Sequence, residues 1–392
     1  MTESLHDVPA HRLAGRIVEE AARRCGGPVG LYVIDLDGAR LVRVGAGEGL
    51  PTVIAGAPGV GPEIAPTAFP ELDRLIEARV PGRVGVRMCV RGRAVGVLIG
   101  PPGASEALRG LADDGAAAME LAAGYTDVFE RARRSAPISP AAEIQQNLLP
   151  PRITWPEGVE LAAGIEPTYE VGGDWFDHAH NPDGVWLAVA DGVGKGPLAA
   201  ALSAVALGAL RAARRNGVGL EAAASTMHRT VAGVSDRSDF VTAVLGRWDP
   251  ATATFRWVNC GHPPPLVADP GGRVEELSSP PQKPLGLFSA SERRFHAAER
   301  RLEPGERLVI YSDGVTERRR GDRSEFGVEG LRAVLEAEPA ATAEATVRAV
   351  HAAVREASTA PLRDDATVLV LRVPAGASRP RRAGSSRAAR PG

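Results

Sequence analysis

The first third of the chain alternates between helical and strand spacing of its hydrophobic residues. In chain order, this spacing predicts a helix, two strands, a long loop, a second helix, a hairpin and a closing helix. These segments are Leu13–Arg24, Val29–Leu36, Arg40–Val44, Gly45–Pro70, Glu71–Ala78, the paired strands Val84–Val90 and Ala94–Ile99, and Ser105–Arg134.

The order of these segments resembles a GAF-type sensor domain, although no ligand motif accompanies it. A dimerisation or scaffolding domain without a ligand is the alternative. Pro137 and Pro140 interrupt the helical pattern and indicate a domain boundary, after which Ala141–Leu149 is amphipathic. The predicted organisation is a GAF-like domain over 1–124, a helical linker over 125–148, a second domain over 149–374 and a disordered basic tail over 375–392.

Composition narrows the class of protein. A chain of 392 residues with 44% hydrophobic and 24% charged residues has the length and composition of two globular domains. The net charge of -2 disfavours a nucleic acid or an anionic membrane as partner. We expect a cytoplasmic protein, because no signal peptide or long apolar run is evident, and three widely spaced cysteines predict neither disulfides nor a zinc site.

Carboxylates stand at the ends of predicted strands in the second domain. The turn Asn181–Gly184 separates Asp174 from a strand that ends in Asp191, so the two carboxylates are predicted to fold to one edge. Two further strands carry acidic residues at an end. They are Arg307–Tyr311, which is followed by Ser312 and Asp313, and Val368–Val373, which Asp364 and Asp365 precede.

Carboxylates gathered at one edge repel each other and lose hydration, which is costly unless they are hydrogen-bonded or bind cations. An all-oxygen set suits Mg²⁺ or Mn²⁺ better than Zn²⁺. Two such ions, roughly 3.5 to 4 Å apart, can activate a water for attack on phosphorus. The glycines after Asp191 and Asp313 are interpreted as sharp turns that bring a carbonyl to a metal. For any one Asp-Gly pair a plain turn is the alternative, but four acidic segments in this order favour a metal centre.

Six short segments form an ordered set between Ala141 and Val373. They are Glu143–Pro150, Gly172–Asp177, Asp191–Gly196, Asn259–Pro264, Ser312–Glu317 and Asp364–Thr367. As a set they resemble the SpoIIE/RsbU branch of the type 2C (PPM) serine/threonine protein phosphatases. The resemblance implies an α+β fold, an αββα sandwich of two antiparallel sheets flanked by helices, with metals at one edge.

The resemblance also implies a role for individual residues. Asp191 would bridge two Mn²⁺ or Mg²⁺ ions, and Gly192 would contribute its backbone carbonyl. Asp174 would face one metal, while Asp313 and Asp364 would hold the other. These five residues form the predicted metal site, and its four aspartates are the predicted catalytic residues.

Five polar residues near these segments remain outside the predicted site. Asp365 stands where related phosphatases often have Asn and is interpreted as a structural partner, while the role of Asp177 stays open. His262 could act as a general acid, although fixing a loop is the favoured interpretation. His178 and its neighbour His180 could join a metal shell, but the family pattern does not require them.

Two cationic residues near these segments also remain outside the predicted site. Lys195 lies in a Gly-rich segment that lacks the spacing of a P-loop, which argues against a nucleoside triphosphatase. Arg152 is a nearby candidate for holding the substrate phosphate, but no motif assigns it that role.

The leading hypothesis is metal-dependent hydrolysis of phosphoserine or phosphothreonine on a protein. The resemblance suggests a phosphorylated anti-sigma-factor antagonist with a STAS fold as substrate, in a partner-switching pathway. A non-catalytic signalling module of the same fold is the alternative, and the intact acidic set argues against it. A nuclease or another two-metal hydrolase is a third possibility, which the net charge disfavours.

Regulation is suggested by the helical pattern that runs from Ala116 to Arg134 towards the second domain. A continuous helix there would carry a signal between the domains. We therefore expect the N-terminal domain to regulate the phosphatase, within a homodimer.

Overall fold

The computed structural model describes residues 4–45, 47–170, 172–234, 239–287 and 294–376. The chain forms an N-terminal region up to about residue 135 and a larger C-terminal region. Nearly all of the predicted basic tail, residues 377–392, lies outside the described residues.

The N-terminal region is built on an antiparallel sheet with helices on both faces. Its elements are α1 (Leu13–Cys25), β1 (Gly30–Ile34), β2 (Arg40–Arg43), β3 (Val53–Ala55), α2 (Phe69–Arg79), β4 (Val84–Val90), β5 (Arg93–Gly100) and α3 (Ser105–Ala122). The strand order is β3-β2-β1-β5-β4. Leu31 packs with Ile17 and Leu111 on the face covered by α1 and α3, while Tyr32 packs with Leu72 of α2 on the other.

The predicted first helix, the predicted second helix and the predicted hairpin are confirmed within a few residues. The prediction of a loop throughout Gly45–Pro70 is wrong in part, because β3 and a short 3-10 helix, Pro66–Ala68, lie within it. Strand β3 has only three residues and pairs at the sheet edge, with Ile54 opposite Leu41, so it is too short to show a periodic pattern. The GAF-like nature of this region stays a prediction.

The connection between the two regions consists of two short helices, α4 (Val128–Arg133) and α5 (Pro140–Leu148). The predicted continuous helix over Ser105–Arg134 is therefore wrong at residues 123–127. Gly124 weakens the helix there, and Val128 N donates to Thr126 Oγ1 at 3.3 Å at the start of the next one. We based the expectation of regulation within a dimer on an uninterrupted helix over residues 116–134. The structure described for this segment has no such helix.

The C-terminal region contains the remaining strands and helices. They are β6 (Ile153–Thr154), β7 (Glu160–Glu166), β8 (Asp174–Asn181), β9 (Gly184–Gly192), α6 (Pro197–Arg215), α7 (Leu220–Val234), β10 (Val241–Asp249), β11 (Thr254–Cys260), β12 (Leu266–Ala268), β13 (Val274–Glu276), β14 (Ala298–Arg301), β15 (Arg307–Tyr311), α8 (Asp313–Thr316), α9 (Gly327–Ala337), α10 (Ala343–Glu356) and β16 (Ala366–Arg372).

These strands form two antiparallel sheets that pack face to face. The first has the order β14-β11-β10-β9-β8 and the second β13-β12-β15-β16-β7-β6. Phe176 and Trp248 of the first sheet share a buried apolar cluster with Leu308 and Leu371 of the second. Helices α6 and α7 cover the outer face of the first sheet, and α9 and α10 cover that of the second. The predicted αββα sandwich is confirmed.

Helix α6 is the one helix in the described ranges that is long and apolar enough to cross a membrane. Its residues Ala206, Leu207 and Leu210 are buried against α7 and the first sheet. Helices in the core of a globular domain can be equally long and apolar, and α6 packs as such a core helix.

The N-terminal region contacts the outer side of the second sheet. Val60 belongs to the same apolar cluster as Ile153 and Val347 of the C-terminal region. Beside this cluster, the buried Glu63 accepts a hydrogen bond from Ile153 N at 2.9 Å and pairs with Arg93 at 3.0 Å. The two regions therefore share part of one core.

Candidate metal centre

The hairpin of β8 and β9 places two of the predicted carboxylates opposite each other. Asn181 pairs with Gly184 at the turn, and Asp174 pairs with Asp191 at the far end of the hairpin. The pattern of turn and strand therefore predicts the pairing correctly. Asp174 is buried, whereas Asp191 is partly accessible.

The second sheet brings further carboxylates to the same end of the sandwich. Asp313 begins α8 directly after β15, while Asp364 and Asp365 precede the neighbouring strand β16. The negative charges of Asp313 and Asp364 help to raise the pKa of Asp191, so these carboxylates lie near it. All four predicted aspartates thus lie together, and Asp365 adjoins them.

The electrostatics of this cluster are those of crowded, partly buried acids. Burial raises the pKa of Asp191 to about 7, with further contributions from Asp313 and Asp364. Burial also raises the pKa of Asp174 well above its usual range, and Asp191 and Asp365 add to this shift. The pKa of Asp313 is raised by its own burial. Protons or cations must therefore compensate these charges at neutral pH.

Asp365 is the best-connected member of the group. Its Oδ2 accepts hydrogen bonds from Gln145 Nε2 at 2.8 Å, Gly173 N at 2.9 Å and Asp174 N at 3.2 Å. Burial nevertheless raises the pKa of Asp365 to about 6. These contacts fit the interpretation of Asp365 as a structural partner, since they hold the start of β8 in place.

Sequence reasoning assigned no role to Gln145, which connects α5 to this cluster. Besides Asp365, its Nε2 donates to Asp174 O at 3.0 Å, and the side chain is buried. One signal was available: Gln145 follows Ala141 and Ala142 by four and three residues, which places it on their buried helical face. A polar residue on a buried face needs a polar partner.

The glycines next to the carboxylates serve close packing and not left-handed backbone. A Cβ at Gly192 would fall against Ser203 Oγ, and one at Gly314 against the carbonyl oxygen of Asp365. Neither glycine has a φ in the left-handed region, so lack of space for a Cβ, and not backbone conformation, is what requires glycine at these two positions. The predicted use of the Gly192 carbonyl as a metal ligand stays a prediction.

The donor set fits a hard divalent cation. The facing groups are carboxylates, and the buried Oδ1 of Asp365 has no hydrogen-bond partner among the described residues. Within those same residues, no three Asp, Glu, His or Cys side chains already form a group that could hold a metal ion. Binding would therefore require the carboxylates to draw closer together.

Asp177 lies apart from this cluster and pairs with α6. Its carboxylate accepts from Arg211 Nη2 at 2.8 Å and from Arg214 Nη1 at 2.7 Å, and it is buried. Its role, left open by the sequence, is that of a structural ion pair in this structure.

Replacing Asp177 is expected to affect stability more than metal binding. The Asp177→Asn variant leaves two guanidinium groups with no carboxylate partner in this pair, which we expect to lower the free energy of unfolding by about 3 kcal/mol. Urea denaturation measures this change. Asp183→Asn is the control, because Asp183 forms a half-exposed ion pair worth less than about 1 kcal/mol. Equal stability of the two variants would contradict the prediction.

The histidines are held by contacts outside the cluster. Thr242 Oγ1 and His262 Nδ1 lie 2.8 Å apart, and Asn259 Nδ2 donates to the His262 carbonyl at 2.9 Å. Burial lowers the pKa of His262 to about 3, which leaves it neutral and fits the loop-fixing interpretation. His178 Nε2 lies 2.8 Å from Pro151 O, and its ring centroid lies 5.7 Å from that of His180, with the two rings tilted by 34°.

Lys195 and Arg152, the two cationic residues outside the predicted site, lie in different parts of the structure. Lys195 Nζ lies 3.0 Å from Asp364 Oδ2, at the accessible edge of the carboxylate cluster. Arg152 is buried beneath the N-terminal region, where its guanidinium carbon lies 5.1 Å from the Phe176 ring centroid. Its contacts are with neighbours other than the four aspartates.

The raised pKa of Asp191 predicts how pH affects the metal-free protein. An unfolded Asp has a pKa of about 3.9, whereas Asp191 titrates at about 7 in the fold. The folded state therefore binds more protons, and the contribution of Asp191 to stability is lost as pH rises from about 4 to 7. In EDTA, we expect wild type to lose more stability between pH 5 and pH 8 than Asp191→Asn does, as thermal unfolding would show.

Adding Mn²⁺ should reverse this loss of stability at higher pH. The cation binds deprotonated carboxylates, so its binding displaces fewer protons as the pH rises. Apparent Mn²⁺ affinity is accordingly expected to rise from pH 6 to pH 8. Buried histidines, whose pKa values are lowered, make the fold more stable as pH rises and so oppose the effect of Asp191. The quantity to compare is therefore the difference in stability between wild type and Asp191→Asn at each pH. Identical pH profiles of wild type and Asp191→Asn would count against the raised pKa.

The αββα fold with aspartates at one end is the arrangement that the resemblance to the PPM serine/threonine protein phosphatases leads us to expect. Residues 181–374 match the family model described as Stage II sporulation protein E (SpoIIE). This match spans just under half of the chain and, with the relatives described next, supports a protein serine/threonine phosphatase of the SpoIIE/RsbU-like branch of the PPM family.

Individual relatives are distant. The chain is 25% identical over 236 residues to phosphoserine phosphatase RsbU of Bacillus subtilis (strain 168), covering 59% of this chain and 68% of RsbU. It is 25% identical over 230 residues to protein IcfG of Synechocystis sp., covering 52% of this chain but 36% of IcfG. Among solved structures, the SiaA-PP2C domain of Pseudomonas aeruginosa has a TM-score of 0.49 at 22% identity, covering 59% of this chain and 93% of that one.

Proposed function

We propose that this chain is a metal-dependent phosphatase that removes phosphate from serine or threonine side chains of a protein. The observation that carries the proposal is the convergence of Asp174, Asp191, Asp313 and Asp364 at one end of the sandwich. The family of the domain supports the same reaction.

Asp174, Asp191, Asp313 and Asp364 would hold the metal ions, with the Gly192 carbonyl as a further ligand. Bound Mn²⁺ or Mg²⁺, as two ions, would supply positive charge and activate water for attack on phosphorus. Asp365 and Gln145 would keep the start of β8 in position through their hydrogen bonds. Lys195 balances the charge of Asp364 at the accessible edge.

For the substrate we propose a phosphorylated anti-sigma-factor antagonist with a STAS fold, acting in a partner-switching pathway. The relative named phosphoserine phosphatase RsbU supports a phosphoserine on a protein. The net charge of -2 favours a protein substrate over nucleic acid. Cytoplasmic location and a homodimer belong to the same proposal.

The test uses the full chain after treatment with EDTA. We expect release of phosphate from a phosphoserine protein when Mn²⁺ is added, and none with EDTA alone. A labelled oligonucleotide, incubated under the same conditions, should stay intact. Cleavage of the oligonucleotide would indicate another two-metal hydrolase.

Two further results would overturn the proposal. One is Mn²⁺ binding, measured by calorimetry, that is the same in wild type and Asp191→Asn. The other is the absence of turnover on both a phosphoprotein and an aryl phosphate, which would favour a non-catalytic signalling module. The natural substrate can be sought by capture on Asp191→Asn, followed by identification of the retained phosphoprotein.

A further inference from the structure

A cavity of about 880 Å³ lies between the N-terminal and C-terminal regions, away from the carboxylate cluster. Its walls include apolar side chains from both sides of the boundary: Leu36 and Val60 from the N-terminal region, and Ile165, Val347 and Leu362 from the C-terminal region. A mainly apolar cavity of this size at a domain boundary has the usual properties of a small-molecule site.

Arg152 is one of the buried polar residues that line this interdomain cavity. The residue is 7% exposed, and its Nη2 donates to Gln146 Oε1 at 2.5 Å. Its Nη1 has no hydrogen-bond partner among the described residues. Burial lowers the pKa of Arg152 to about 10, so the guanidinium is still charged at neutral pH. A buried cation with an unused donor is costly unless an anion joins it.

Glu63 is the acid whose charge acts on Arg152, and its carboxylate has other partners. The negative charge of Glu63 raises the pKa of Arg152 and so partly offsets the lowering by burial. However, one of its carboxylate oxygens forms an ion pair with Arg93 Nε at 3.0 Å, and the other accepts a hydrogen bond from Ile153 N at 2.9 Å. Glu63 therefore leaves Nη1 of Arg152 without a partner.

The other charged groups of the cavity wall are already engaged or exposed. Arg318 donates to four backbone carbonyls, Arg348 pairs with Glu71 at 3.2 Å, and Arg355 pairs with Glu166. Among the wall acids, Asp37 accepts from Ser135 Oγ at 3.3 Å, and Glu170 is exposed at the rim. Arg152 is thus the wall cation best placed to receive an added anion.

We propose that the interdomain cavity binds a small organic anion, with a carboxylate or phosphate group against Arg152 and an apolar body between the two regions. Arg152 supplies the charge and the directed donor. Leu36, Val60 and Val347 supply the apolar surface. The proposal concerns binding and is independent of the phosphatase reaction.

Calorimetric titration of the full chain tests the proposal, with EDTA present so that no cation in the carboxylate cluster attracts the probe. Benzoate is the probe, benzamide is its neutral counterpart, and inorganic phosphate lacks the apolar body. We expect saturable binding of benzoate that is at least about tenfold tighter than binding of benzamide, because a hydrogen bond to a charged group contributes that much. Weaker binding of inorganic phosphate than of benzoate is also expected.

Variants locate the binding site. Arg152→Met keeps an unbranched apolar stem but removes the guanidinium, and it should weaken benzoate binding about tenfold or more. Arg247→Met is the matched control, since Arg247 pairs with Asp183 on the surface at 3.4 Å and should leave benzoate binding unchanged. Ala352→Phe fills the cavity from α10 without altering a charge and should also abolish binding. It decides the question if Arg152→Met does not fold.

Several results would overturn the proposal. They are no saturable binding of benzoate, equal binding of benzoate and benzamide, and equal or tighter binding of inorganic phosphate. Unchanged benzoate affinity in a folded Arg152→Met or Ala352→Phe variant would do the same, because the anion would then sit elsewhere.

Discussion

Asp191→Asn is expected to lower Mn²⁺-dependent phosphatase activity by more than about 100-fold, since removing even an outer-shell partner of a metal ligand costs roughly 10 to 100-fold. The carboxylate of Asp191 faces Asp174 across the hairpin and senses Asp313 and Asp364 from the second sheet. Removing it leaves the other acids without their common neighbour. Steady-state hydrolysis of an aryl phosphate over a range of Mn²⁺ concentrations measures the loss.

The control for Asp191→Asn is Asp183→Asn, the same substitution at the turn of the same hairpin. Asp183 is half-exposed and contacts Trp186 and Arg247. Its replacement should leave activity within about twofold of wild type, since surface ion pairs contribute little. Comparable losses in both variants would mean that the hairpin tolerates no change, and that the carboxylate of Asp191 has no special role.

Gln145→Met is expected to weaken the apparent Mn²⁺ affinity by about 10 to 100-fold, the usual effect of losing a partner of a metal ligand. The side chain of Gln145 donates to both Asp365 Oδ2 and the Asp174 carbonyl. Methionine has a similar length but no donor, so Asp365 would keep only its bonds from backbone N–H groups. The Mn²⁺ dependence of turnover measures the change, and excess Mn²⁺ should restore most of the activity.

Asn147→Met provides the comparison for Gln145→Met on the same helix. Asn147 is exposed and bonds to Glu143 at 3.1 Å, so its amide has no contact with the carboxylate cluster. A merely structural role of Gln145 would lower the melting temperature and leave the Mn²⁺ dependence of the folded fraction unchanged. That result would contradict the positioning role.

Short-range signals in the sequence account for the parts of the fold that were predicted. The Asn181–Gly184 turn between two strands is enough to place Asp174 beside Asp191, because hairpin register follows from the turn. The hairpin of β4 and β5 is recognised for the same reason. The gathering of Asp313 and Asp364 at the same place was implied by the family resemblance and could not come from local pattern alone.

The residues that the sequence did not reveal act over long separations. Gln145 meets Asp174 and Asp365, which are 29 and 220 residues away, and nothing within α5 indicates either partner. Arg152 gains its surroundings only when the N-terminal region packs against the sandwich. The apolar spacing continues past Ala122 and therefore predicts no end to the helix there. Gly124 nevertheless destabilises the helix, because glycine loses more backbone entropy than other residues when it becomes helical.

Glu63 and Val60 reach from the N-terminal region into the packing of the sandwich. If the N-terminal region were exchanged for that of another protein by a cut between α3 and α5, Ile153 and Val347 would be exposed to water and Ile153 N would lose its acceptor. New combinations of an N-terminal region with this phosphatase domain must therefore keep the loop around Val60 together with the C-terminal region, or replace it with a loop of matching shape. The loop around Val60, and not the connection through α4 and α5, therefore limits which N-terminal regions can be joined to this phosphatase domain.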